Sequence, residues 1–256
     1  MESMHSSLDE TFSEGALDPT RWMAHHLPHW SNAALSQARY HFDDQGLVLR
    51  IDEDQLEWCP DRDPGVRVSA IQSGHFSGPL GSSVGQHRLA TPLEVRTELP
   101  PRAFLVPRFC RISMTARAEM TRHHLVSLYL IGFEQDNQCD SGEITLMEVF
   151  GDKLGCGITT VNVGIKRIND PRLLDEIYPV SRPIKMEDWH EYFMEWRPSG
   201  IIFGIDGDVI AETSQSPHYG MQLMLTMYDL SGKHPGAVVQ SGSFHIRRIS
   251  VEASAA

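Results

Sequence analysis

The stretch Ser141-Gly142-Glu143-Ile144-Thr145-Leu146-Met147-Glu148 holds the residues best suited to bond-making chemistry. Glu143 and Thr145 are two apart and share a face of a strand, whereas Glu148, five beyond Glu143, falls on the opposite face of a regular strand. A β-bulge at Leu146-Met147 absorbs one residue and restores the parity. The two glutamates then stand four strand rises apart, about 13 Å between Cα atoms. Side chains leaning together narrow that gap to the ~5–5.5 Å at which one carboxylate attacks an anomeric carbon and the other moves the proton. Glutamates at this spacing also occur as plain solvated residues on a strand edge, so the chemistry depends on what positions them.

The positioning elements are strands. From Arg111 to Ala118, Ile112, Met114, Ala116 and Ala118 alternate with Arg111, Ser113, Thr115 and Arg117, the period of a half-buried strand. Leu47, Leu49 and Ile51 share a face behind the turn Asp43-Asp44-Gln45-Gly46. His190–Trp196, Ile201–Ile205 and Asp208–Ala211 form a three-stranded meander, its second turn the Asp206-Gly207 pair typical of type I′ hairpins. Along Phe244–Val251 the apolar parity breaks at Arg247-Arg248, as a bulge does. One short helix is expected around Pro171–Tyr178, and loops over Trp58–Leu80 and Thr97–Pro107. Fifteen Pro and 20 Gly punctuate these short runs without a repeat or linker. The expectation is one all-β sandwich over 1–256, ordered from about 8 to 251, with a frayed tail from Ala253 to Ala256.

Composition narrows the partners. With 22 Lys+Arg against 34 Asp+Glu the chain carries −12, which disfavours phosphate-rich nucleic acid and anionic membrane. The longest apolar run, Leu125–Phe133, is nine residues, under half of the ~20 that span a bilayer. Met1–Glu10 has no basic or apolar leader, which suggests a cytoplasmic protein, or a secreted one whose leader has been removed. Cys59, Cys110, Cys139 and Cys156 form no C-x-x-C pair; free thiols are expected, a Cys139–Cys156 bridge being the alternative. His25-His26 and His123-His124 point to opposite strand faces, so no metal site is expected from either pair.

Gly142–Glu148 resembles the signature of glycoside hydrolase family 16, Glu-x-Asp-x-x-Glu in its bulged form. Further stretches are similar to that family in the same order: Asp9-Glu10-Thr11-Phe12 with Leu17-Asp18 and Trp22, Gly46–Leu49, Asp188–Trp196 with Gly200–Phe203 and Ile205-Asp206-Gly207, and Ile246–Val251. The resemblance implies a concanavalin A-like jelly roll: two packed antiparallel sheets with a concave cleft. It also implies retaining hydrolysis or transglycosylation of a β-linked glycan, with Glu143 as nucleophile and Glu148 as acid/base. It needs no cofactor; a structural calcium near Asp9 and Glu10 is conceivable, without a readable ligand loop.

The departures are informative. Thr145 stands where the family has an Asp able to share a proton with the nucleophile; a hydroxyl donates one hydrogen bond and does not titrate in this range. Family tryptophans of the cleft are replaced by Leu125–Tyr129 before the motif and Gln222–Tyr228 after it. Tyr129 and Tyr228 are the candidates to stack on sugar rings, as against ordinary core aromatics. Asn162, Gln222, Thr226 and His190 are further substrate-binding candidates, Asn162 lying where some members carry a cleft histidine. Trp196 is expected in the core. Thr145 and the missing indoles keep a non-hydrolytic lectin open as an alternative, and the leaderless start keeps a small-molecule biosynthetic role. The acidic balance favours a neutral ligand over a sulfated or uronate-rich one.

Overall fold

The computed structural model describes residues 7–88, 93–155 and 157–253. Its strands pair into two large antiparallel sheets. The first has eight strands, in the order Asp208–Thr213, Gly200–Ile205, His190–Arg197, Cys110–Glu119, Gly242–Ala253, Gly46–Ile51 and Tyr40–Asp43, with Leu8–Glu10 also paired to Gly242–Ala253. The second has seven, ordered Leu154–Gly155, Ile158–Lys166, Glu143–Phe150, His124–Gly132, Met221–Asp229 and Arg67–Gln72, with Glu176–Arg182 added to Ile158–Lys166.

Period-two alternation builds the interior. Ile112, Met114, Ala116 and Ala118 of the first sheet meet Val126, Leu128, Leu130, Ile144, Leu146, Met147, Val161 and Val163 of the second in one buried cluster. Burying each of the Val, Leu, Ile and Met side chains among them contributes ~1.5–3 kcal/mol. The opposite face of the second sheet carries a smaller cluster. Tyr129, Ile131, Val68, Ala70 and Met224 lie there beneath Leu27, Trp30, Trp58, Leu93 and Val95, a third layer supplied by the long connections.

Several local expectations hold. The motif strand shifts register against His124–Gly132 between Leu128 and Tyr129, and both Leu146 and Met147 enter the core. Glu143, Thr145 and Glu148 therefore share the outer face. Asp206 and Gly207 both have positive φ, as a type I′ turn requires, and the last strand slips at Arg247. Trp196 is fully buried.

Other expectations fail for identifiable reasons. Pro171–Tyr178 forms no helix: the Asp170 carboxylate accepts from the Arg172 backbone N–H, fixing a turn, and the chain pairs as a strand from Glu176. Within Trp58–Leu80, expected as loop, Arg67–Gln72 is the last strand in the order of the second sheet, paired with Met221–Asp229. It is covered on one face by the core and on the other by the third layer, so the usual polar alternation is absent. Arg102–Ala103, within the other expected loop, pairs with Gly74–His75. Cys59, Cys110 and Cys139 are free thiols; Cys156, and with it the alternative bridge, lies outside the described residues, as do residues 254–256. Among the described residues no helix is long and apolar enough to cross a membrane.

Candidate active site

The bulge sets the site. Residues of Ile158–Lys166 slip by one against the motif strand between Asn162 and Gly164, so that Asn162 stands opposite Glu148, Gly164 opposite Thr145 and Lys166 opposite Glu143. Gly164 has φ +140°, and a Cβ there would meet the Glu176 carbonyl oxygen at 2.0 Å. Only glycine fits where three strands converge behind Thr145.

The side chains of that face converge on one cation. Lys166 Nζ lies 2.9 Å from Glu143 Oε1 and 2.8 Å from Glu148 Oε1. Those two oxygens are therefore no more than about 5.7 Å apart, the sum of the two contacts. The Thr145 hydroxyl donates to Glu143 Oε1 at 2.7 Å. The Asn162 amide donates to Glu148 Oε2 at 3.4 Å. Glu143 keeps 5% of its side chain exposed, Glu148 12% and Lys166 30%, so the cluster opens to solvent on the lysine side. Burial alone would lower the Lys166 pKa, but the two carboxylates outweigh it and raise the value above that of a free lysine.

A loop residue completes the wall. His87 Nδ1 lies 3.9 Å from Glu143 Oε2. Burial lowers the His87 pKa against the pull of Glu143, so the ring is neutral at pH 7. Its backbone, in the left-handed region at φ +53°, donates its N–H to Glu134 Oε1 at 2.9 Å, and Glu134 itself has φ +56°. Non-glycine residues in that region cluster at functional sites. Burial pushes Glu134 up to about 8, against the opposing His87 N–H and Arg88.

A proton held this far above the usual carboxylate range has a signed effect on stability. The unfolded chain releases it first, so the contribution is complete below the ordinary carboxylate pKa and is lost as pH rises through about 8. The melting temperature is expected to decline over that window. Glu134→Gln flattens the slope; a slope unchanged in this variant would show that Glu134 is not its source.

The remaining candidates divide between the two halves of the face. Tyr129 and Tyr228 join hydroxyl to hydroxyl at 2.9 Å, with Tyr129 buried under the third layer. His87 packs against Tyr129 and His26 against Tyr228. Burial raises the pKa of both phenols. Gln222 is fully buried and accepts from the Gln86 amide at 2.9 Å, and the buried Thr226 hydroxyl donates to the Ser127 carbonyl at 3.4 Å. These four lie on the motif's face of the sheet, but Tyr129, Gln222 and Thr226 are enclosed there. His190 is not in the cluster at all. Its strand pairs with Cys110–Glu119 in the other sheet, and its ring bonds Asp206 at 2.7 Å and the Lys185 carbonyl at 3.1 Å. The open half carries Asn162, Thr160 and Ser181, the last two bonded through their hydroxyls.

Asp9 and Glu10 do not fit a calcium shell. Arg248 takes both Asp9 oxygens at 2.7 and 2.9 Å, and Glu10 bonds the Phe12 N–H and faces Arg21. Among the described residues no group of three or more metal-ligating side chains assembles.

Sequence reasoning missed Lys166 and His87. Lys166 was legible in part, since it continues the period-two parity of Asn162 and Gly164. His87 reaches the site from a loop, where parity says nothing.

Comparison with known proteins agrees with this architecture. The chain superposes on the GlcNAcα1-4Gal-releasing endo-β-galactosidase of Clostridium perfringens with a TM-score of 0.80 at 23% identity, covering 98% of itself and 63% of that longer chain. The Bacillus licheniformis β-glucanase gives 0.65 at 12% identity over 98% and 100% of the two chains. The catalytic domain of the Thermotoga petrophila endo-1,3-β-glucanase gives 0.60 at 14% over 97% of each. At these identities the likeness concerns the fold, a two-sheet jelly roll. No curated protein sequence matches the chain. The sequence profile of the glycosyl hydrolases family 16 matches residues 106–235, half of the chain and the half that contains the converging glutamates, so the protein belongs to family 16 of the glycosyl hydrolases.

Proposed function

We propose that the protein is a retaining, endo-type glycoside hydrolase or transglycosylase for a β-linked, neutral glycan. The observation that carries this reading is the pair of carboxylates on one face, held within about 5.7 Å through Lys166. Retaining enzymes space their carboxyls at ~5–5.5 Å, whereas inverting ones leave ~6.5–9.5 Å for a water.

In this mechanism Glu143 attacks the anomeric carbon while Glu148 gives its proton to the leaving oxygen. Glu148 then takes a proton from water, or from a second sugar hydroxyl, which displaces Glu143. The Thr145 hydroxyl orients the Glu143 carboxylate without contributing a charge. Asn162 aims the Glu148 carboxyl from the neighbouring strand. The glycan crosses the open half of the face, over Asn162 and Thr160. The third layer closes the other half, where Tyr129 supports the wall rather than forming an open stacking platform.

The test is a panel of β-1,3-, β-1,4- and mixed-linkage glucans and of β-galactans, assayed for new reducing ends. Cleavage of at least one glycan, abolished in Glu143→Gln, is expected. Binding without cleavage by the parent would favour a lectin, and neither binding nor cleavage a small-molecule role.

A further inference from the structure

In the family signature the residue between the glutamates is an Asp, and in this chain it is Thr145. The site consequently loses a negative charge, and Lys166 adds a positive one against both remaining carboxylates. Lys166 is fixed there by the fold: it stands opposite Glu143 on the adjacent strand, and the register slip at the bulge brings Glu148 to the same ammonium. From the geometry we infer that Lys166 is the positioning residue that sets the proton of the carboxyl pair, a counter-ion passed from nucleophile to acid/base during turnover. This inference rests on the roles proposed above for Glu143 and Glu148.

The charge balance gives the ammonium a distinct role in each half-reaction. Before attack, Glu143 is the anion and Glu148 holds a proton, so the three groups sum to zero. In the first step the bond from a Glu143 carboxylate oxygen to the anomeric carbon forms, the bond from that carbon to the leaving oxygen breaks, and the Glu148 proton passes to the leaving oxygen. Glu143 is then a neutral ester and Glu148 an anion, and with Lys166 the sum is again zero. In the second step the water oxygen bonds the anomeric carbon, the Glu143 ester bond breaks, and the water proton returns to Glu148. A cation 2.8–2.9 Å from both carboxylates meets the anion in either state without moving far.

The other groups facing the pair do not supply this cation. His87, 3.9 Å from Glu143, is held neutral by burial. Tyr129 and Tyr228 are protonated phenols joined to each other. Thr145, Asn162 and Ser127 are uncharged, and the Arg88 guanidinium faces Glu134 at 3.6 Å.

Two readouts test the inference. The first needs no turnover: ¹³C-carboxyl NMR titration of the parent, Lys166→Met and Lys166→Arg, with Glu143→Gln and Glu148→Gln assigning the signals. An opposite charge at this distance displaces a carboxyl titration by ~1–3 pH units. Lys166→Met is thus expected to move the titration of the pair at least about one unit upward, and Lys166→Arg to leave it near the parent's. The second readout is the pH profile of kcat/KM on whichever glycan of the panel is cleaved. The alkaline limb is expected to rise by a similar amount in Lys166→Met, with kcat reduced ~10–100-fold and KM within about twofold. A pair that titrates alike in the parent and Lys166→Met, or an arginine variant that shifts as much as the methionine one, overturns the inference. The two levels of the account separate cleanly. Turnover surviving in Glu143→Gln sinks the catalytic assignment, whereas an inactive Glu143→Gln beside an unshifted Lys166→Met sinks only the role of the lysine.

Discussion

Glu143→Gln is expected to lower turnover by about 10⁴-fold or more, the order seen when a covalent nucleophile is removed. The reason is geometric as well as chemical. The amide occupies the carboxylate's place between Thr145 and Lys166, so the fold is retained while the attacking oxygen loses its charge. Glu148→Gln removes the proton donor instead and is expected to cost ~10²–10⁴-fold on glycans, where the leaving oxygen needs protonation. On an aryl glycoside with an acidic leaving phenol the first step needs little acid help, and the loss shrinks. Azide separates the two roles. Replacing Glu148 by alanine leaves room for azide on the face from which water attacks, giving a β-glycosyl azide; with Glu143→Ala, azide enters from the nucleophile's side and gives the α-product. The reverse pattern would exchange the roles of the two glutamates.

The second large effect is on stability. Trp196 is fully buried on the strand His190–Arg197, directly opposite Ile201, with its indole N–H donating to Ser216 at 3.0 Å and its ring edge-on to Phe109. Trp196→Ala removes the largest class of core side chain and leaves a cavity between the sheets, at a cost of ~3–5 kcal/mol. For a chain of this size that corresponds to a melting temperature lower by roughly 10 °C. Trp196→Phe keeps most of the volume and is expected to recover about half of the loss. A thermal melt of Trp196→Ala within about 2 °C of the parent would show that the strand packs differently.

The parts of the fold legible in the sequence were those with one wet face. Cys110–Glu119 shows its alternation because one side meets the core and the other remains half-exposed. The Asp206-Gly207 turn and the bulge at Arg247 were legible from local backbone chemistry. Arg67–Gln72 was hidden because both its faces are covered, and Glu176–Arg182 because Pro179 and the half-exposed Ile177 and Tyr178 break the pattern. Parity alone put Glu143 and Glu148 on opposite faces; only a bulge at Leu146-Met147 brings them to a common face, and the register shift against His124–Gly132 is what the structure adds. The divided face was not legible: the third layer over Tyr129 and Gln222 comes from segments distant in sequence, and the pairing of His190 with the other sheet depends on topology. Lys166 was missed although it shares its strand face with Asn162 and Gly164.

Stereochemistry tests the central claim most directly. With the panel glycan that the protein cleaves, ¹H NMR recorded within the first minutes reports the anomer released before mutarotation mixes the two forms. Two carboxylates sharing one ammonium within about 5.7 Å predict that the β-anomer appears first, through a glycosyl ester on Glu143. The α-anomer appearing first would mean a single displacement by water and would contradict the account.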